Sequence, residues 1–144
     1  MPGAGRVPIT VAGKLRDACP VKQPLSGWVS IRGLRCNARQ GVTPDQQREP
    51  GEYLVDIAVR TDLAPAVQRD DLAAALDIAA LADTVRVEMG RTPRALVERM
   101  TADVASAVLA RFPQASEARV RVEKPHPDGL GADAESVELT LDTR

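Results

Sequence analysis

Two side chains that can do chemistry stand at the ends of regular segments. Glu98 lies in Leu96-Val97-Glu98-Arg99-Met100, at the opening of a long amphipathic stretch. Lys124 closes the alternating run Val120-Arg121-Val122-Glu123-Lys124-Pro125. A carboxylate and an amine that leave such elements near loops are parts from which a small-molecule site is built. Each also has a plain structural reading. An acid in a helix's first turn is favoured by the helix dipole. A lysine near a strand edge discourages pairing with another chain. The single histidine, His126, sits between Pro125 and Pro127 and reads as an exposed loop residue. With one imidazole, a zinc site of three histidines in one chain is excluded.

These groups need a scaffold, and composition bounds what it is. The chain has 144 residues, enough for one domain with a modest core. The net charge of -1 gives no global field to attract nucleic acid or an anionic membrane. Trp28, Tyr53 and Phe112 are the only aromatics, too few for the stacking platforms of a single-strand binder. No apolar run reaches membrane-spanning length, and no apolar h-region follows the first charges. Cys19 and Cys36 form no CxxC pair, so the sequence implies reduced thiols and a cytoplasmic setting. Cys36 falls at strand spacing and reads as a small core residue.

Residues 1–26 are rich in Gly, Pro and basic side chains and read as a flexible basic extension, with a short strand over Val7 to Val11. The domain proper is expected over 27–144. Trp28 to Ala38 reads as a strand whose phase slips around Gly33, which suggests a bulge. A loop from Arg39 to Gly51 follows. In the next strand Tyr53, Val55, Ile57 and Val59 alternate with polar or small neighbours. Asp77 reads as the N-cap of a helix in which Ile78, Leu81, Ala82 and Val85 share a face. Thr92 caps a second helix with Pro93 at its first position. Leu96, Val97, Met100, Val104, Val108 and Phe112 form its apolar stripe, and Pro113 stops it. Two strands close the chain, Ala118 to Glu123 and a run holding Val137, Leu139 and Leu141. This order, ββααββ, predicts an α+β fold: an antiparallel sheet with two helices on one face and two open edges. Closing several such sheets into a ring would remove those edges.

The ordered set of segments resembles the dihydroneopterin aldolase family and its tunnelling fold, an oligomeric barrel. Ile31-Arg32-Gly33-Leu34-Arg35-Cys36 looks like that family's first strand. Val55-Asp56-Ile57 with Thr61-Asp62-Leu63 looks like its second strand and exit. Asp70-Asp71-Leu72 and Asp77 resemble the approach to its first helix. Leu96-Val97-Glu98 resembles its substrate-anchoring helix, and Val120 to Pro125 its lysine strand. The resemblance covers roughly residues 27–142. It implies that Glu98, with Val97, holds a pterin's amino-pyrimidine edge, where two N–H donors meet two carboxylate oxygens. It implies that Lys124 takes part in proton transfer during retro-aldol cleavage. No metal or cofactor is implied, because the heterocycle itself holds the electron pair released from carbon. The family's loop histidine falls at Gln40, its loop glutamate at Gln46, and its tyrosine at Ile78, directly after Asp77.

The activity implied is a metal-independent lyase that converts a reduced pterin to hydroxymethyl-dihydropterin and glycolaldehyde in folate biosynthesis. The small heterocyclic substrate is the expected partner, with neither nucleic acid nor membrane. The assembly implied is a homo-oligomer, tetramer or octamer, with the pocket between protomers. Two alternatives stand beside it. One is a repurposed enzyme on the same scaffold that takes another heterocycle or an enolisable carbonyl compound. The other is a non-catalytic homologue that keeps the fold for assembly.

Overall fold

The computed structural model describes residues 24–144. The basic segment's strand over Val7 to Val11, and all but the last residues of the 1–26 extension, lie outside the described residues. The chain divides into two units: a larger one of Trp28–Thr61 and Ile78–Arg144, and a smaller one that includes residues 24–27 and Asp62–Asp77.

The larger unit is built on one four-stranded sheet of order β1 (Ser26–Ala38), β2 (Gly51–Asp62), β3 (Glu117–Pro125) and β4 (Ala134–Asp142). β2 pairs with β3, and β3 with β4, antiparallel. Alternation sets the faces. Val55, Ile57 and Val59 of β2 and Ala118, Val120 and Val122 of β3 are buried on the helical side. Against them pack two helices, α3 (Ile78–Gly90) and α4 (Val97–Arg111), through Leu81, Val85 and Met89 and through Met100, Val104 and Val108. Each such side chain taken out of water contributes about 1.5–3 kcal/mol before its ordering entropy is counted. Phe112 closes the core at 2% exposure, and Cys36 packs there as a small apolar residue. Burial pushes the Cys36 thiol up to about 11, against the nearby charge of Arg86.

The opposite sheet face is wet and charged. The Arg119 guanidinium stacks over the Trp28 ring, 4.7 Å from its centroid. Arg121 pairs with Glu123 at 3.0 Å and, more loosely, with Asp56 at 3.7 Å. The phase slip in β1 is present. Val29 and Ile31 point toward the helical side before Gly33, and Leu34, Cys36 and Ala38 after it. Gly33 has φ of 68°, the left-handed region in which a Cβ is costly, and its N–H donates to Asp56 at 2.7 Å.

Three local expectations need correction. The loop 39–51 contains a short helix, α1 (Pro44–Arg48), started by a capping box: Gln46 N–H donates to Thr43 Oγ1, and Gln46 Oε1 accepts from Thr43 N–H. The helix expected from Thr92-Pro93 begins instead at Val97. Its would-be first turn is extended because Arg94 is bound elsewhere. Arg94 N–H donates to Arg39 C=O, and Arg94 C=O accepts from Gly41 N–H, which makes a parallel bridge with Gln40. Leu96 is therefore the cap position, not part of the buried stripe, and is 54% exposed. Ile78, the first residue of α3, is also half exposed.

The smaller unit carries a six-residue helix, α2 (Ala64–Arg69), and a single 3₁₀ turn over Leu72–Ala74. Leu25 N–H donates to Asp62 Oδ1 and Leu63 N–H to Leu25 C=O, so the start of β1 and the end of β2 are tied there. Asp71 caps the 3₁₀ turn by accepting from Ala73 N–H.

Candidate functional site

At the end of the sheet where β3 finishes and α4 begins, a groove of about 290 Å³ opens. Five residues singled out in the sequence line it together: Gln40, Gln46, Val97, Glu98 and Lys124. Glu98 and Lys124, 26 positions apart in the chain, thus reach one cavity.

Lys124 is on the helical face of β3, continuing the alternation of Val120 and Val122. It is half-buried, and its Nζ donates to Gln40 Oε1 at 3.0 Å. Among the described residues no carboxylate forms an ion pair with it. Gln40 is 8% exposed and its carboxamide orientation is fixed from three sides. Nε2 donates to Ala95 C=O at 2.7 Å, and Oε1 accepts from Lys124 and from the Tyr53 hydroxyl at 2.9 Å. The backbone bridge between Gln40 and Arg94 sets this side chain against the start of α4. Tyr53 is 3% exposed, and its phenol is pushed up to about 12, by burial first and then by the negative charge of Glu135. The phenol therefore keeps its proton at neutral pH and serves as a donor.

Glu98 is the second residue of α4, exposed, and without a hydrogen bond or ion pair to any described residue. Leu96 offers no side-chain cap, so the first-turn N–H groups stay available beside the carboxylate. Val97 is 6% exposed, so its side chain belongs to the core and its backbone is what faces the groove.

Gln46 lines the groove but is committed to its own loop. Its Oε1 accepts from Val42 N–H at 2.9 Å and from Thr43 N–H at 3.1 Å. It folds so closely over Gly41 that a Cβ there would collide with it, which is why position 41 is glycine. As a neutral amide with its oxygen engaged, Gln46 cannot take a proton. Ile78 is not among the lining residues, and Asp77 belongs to the smaller unit. His126 is exposed in the turn after β3, with a positive φ of 49°.

Two participants were not found by reading the sequence. In the sequence Tyr53 reads only as an alternating apolar position; its hydroxyl among valine and isoleucine neighbours is the available signal. Glu135 lines the groove from β4 and is the direct cross-strand partner of Lys124. Among the described residues no three His, Cys, Asp or Glu side chains converge as metal ligands, and no helix is long and apolar enough to cross a membrane.

Comparison with known proteins adds the following. Residues 29–142 match the family model described as FolB, dihydroneopterin aldolase. The dihydroneopterin aldolase of Methylorubrum extorquens is 35% identical over 98 residues, which are 67% of this chain and 75% of that protein. That of Streptomyces coelicolor is 32% identical over 97 residues, 67% of this chain and 81% of the other. The solved structure of the Escherichia coli dihydroneopterin aldolase in complex with neopterin superposes with a TM-score of 0.73 at 30% identity, over 80% of this chain and 98% of that one. A Bacillus subtilis urate oxidase, 11% identical with a TM-score of 0.58 over 81% of this chain and 46% of its own, shares the fold.

Proposed function

The chain belongs to the dihydroneopterin aldolase family, and from that premise we propose that the groove between β3 and α4 cleaves a reduced pterin by a retro-aldol reaction. The family's enzymes are metal-independent lyases of folate biosynthesis, and this chain is a dihydroneopterin aldolase-like member. Glu98 accepts two N–H donors from the amino-pyrimidine edge, a bidentate, charge-assisted pair. The uncapped N–H groups of the α4 first turn, Val97 included, meet the neighbouring ring oxygen. The side-chain hydroxyl beside the scissile bond loses its proton, the carbon–carbon bond breaks, and the electron pair moves into the ring imine. Glycolaldehyde departs. Lys124 Nζ delivers a proton to the carbon left behind, and the product is the hydroxymethyl-dihydropterin. Gln40 holds the ammonium over the ring through its neutral carboxamide oxygen.

The convergence of Glu98 and Lys124 on one cavity carries this reading. The assembly goes with it: β1 and β4 are the two edges of the sheet, and a homo-oligomeric ring, tetramer or octamer, would pair them. In such a ring Asp77 and Ile78 reach the groove from a neighbouring copy and cover its open side. Residues 1–26 fall before the matched segment and act as a basic extension of the domain. A free, buried thiol at Cys36 and a small-molecule substrate support a cytoplasmic placement.

The test is direct. Purified protein incubated with 7,8-dihydroneopterin is expected to release glycolaldehyde, and Glu98→Ala is expected to abolish neopterin binding measured by calorimetry. No aldehyde at high enzyme concentration would overturn the assignment.

A further inference from the structure

Three carboxylates line the groove: Glu98, Asp128 and Glu135. The retro-aldol step needs a base for the substrate hydroxyl, and the groove's other polar groups are engaged or unsuited. Gln46 is neutral and its oxygen is taken by two backbone N–H groups. Gln40 Oε1 is taken by Tyr53 and Lys124. Glu98 faces the heterocycle edge.

We propose that Glu135 is the catalytic base of this site, working as a pair with Lys124 across the β3–β4 ladder. The inference rests on the reading of the groove as a pterin-cleaving site and names a group which that reading leaves open. Lys124 and Glu135 are directly opposed in the antiparallel register. Opposed residues share a face and place their Cβ atoms roughly 4.5–5.5 Å apart. That face is the helical one, shared with Val122 and its partner Val137. Both side chains line the groove, and no ion pair joins them, so each has its functional atoms available to a ligand between them. Glu135 also lies close enough to the buried Tyr53 hydroxyl for its charge to bear on that phenol, which sets the carboxylate beside the Lys124–Gln40–Tyr53 chain. Asp128 is instead on the turn after β3, one residue before Gly129, with no strand to hold it opposite Lys124.

The proton balance explains the pairing. Glu135 accepts the hydroxyl proton as the new carbonyl forms and the carbon–carbon bond breaks. Lys124 supplies a proton to the ring-bound carbon. After one turnover the acid carries one proton more and the amine one fewer. Their opposition lets that proton cross, directly or through one water, so the site resets without a further reactant.

Glu135→Gln keeps shape and hydrogen bonding but cannot accept the proton. It is expected to lower kcat with 7,8-dihydroneopterin about a hundred- to ten-thousandfold, with neopterin affinity changed less than about threefold and an unaltered thermal midpoint. Glu135→Asp is expected to retain part of the rate, and formate is expected to restore part of it to Glu135→Ala. Turnover by Glu135→Gln within about threefold of the unsubstituted protein overturns this proposal alone. So does a loss confined to Asp128→Asn, or a Glu135→Gln protein that loses neopterin as well as rate. Absence of any aldehyde from the unsubstituted protein overturns both this proposal and the lyase assignment.

Discussion

Two cations, Arg94 and Lys124, are treated in opposite ways. The Arg94 side chain is 3% exposed and donates to five acceptors. Nε reaches Asp103, one terminal nitrogen reaches the carbonyls of Glu88, Met89 and Thr92, and the other reaches Glu88 Oε2 at 2.5 Å. Lys124, at the cavity, has among the described residues one neutral acceptor and no acid. A charge surrounded by matched acceptors fixes a backbone: here it holds the α3–α4 connection and, through its bridge to Gln40, one wall of the groove. A charge left short of partners has interaction energy still available to a ligand. The difference separates the frame of the site from its chemistry, although both side chains are cations.

The contrast makes predictions of decreasing size. Lys124→Ala should lower kcat by about a hundred- to ten-thousandfold while urea denaturation shows a change of about 0.5 kcal/mol or less, as for a site away from the core's packed contacts. A large loss of stability would mean that Lys124 is also part of the frame. Arg94→Ala should cost about 3–5 kcal/mol, because the carbonyls of Glu88, Met89 and Thr92 lose their buried donor and the half-buried Glu88 and Asp103 keep only the exposed Arg91 and Arg99. A cost below about 1 kcal/mol would erase the distinction. The smallest effect concerns pH. Burial works to raise the Asp103 carboxyl, but hydrogen bonds from Arg99 and Arg94, with their charges, outweigh it and hold the group below the usual carboxylate range. A depressed folded-state value stabilises the fold above the unfolded value of about 4 and loses that contribution as pH falls through the folded one. The stability gap between the unsubstituted protein and Asp103→Asn should therefore be largest near neutral pH and close in acid, with thermal midpoints against pH as the readout.

The sequence carried the strands well because their signal is local. The alternation from Tyr53 to Val59 survives intact in β2, and the burial parity of β1 does switch at Gly33. It carried helix starts less well. Thr92-Pro93 has every local mark of an N-terminus, yet the bridge from Arg94 to the loop at Gln40, more than fifty residues away, overrides it. The reverse happened at Thr43. Its capping box with Gln46 was legible, but Gly41, Pro44, Pro50 and Gly51 drew the reading toward loop. Glu98 and Lys124 were legible through family resemblance. The Tyr53–Gln40–Lys124 chain was not, because one of its hydrogen bonds joins residues 84 positions apart. Glu135 lay hidden for the same reason: its place opposite Lys124 is a matter of ladder register, which composition and spacing within one strand do not encode.

The inversion at Gly33 gives β1 two parities. Before it, odd-numbered residues turn inward; beyond it, even-numbered ones do. A mutational scan that treats Ser26–Ala38 as one uninterrupted ribbon would assign half of its side chains to the wrong surface. A one-residue deletion upstream of Gly33 would carry Trp28 inward and Val29 out while leaving Leu34, Cys36 and Ala38 where they are.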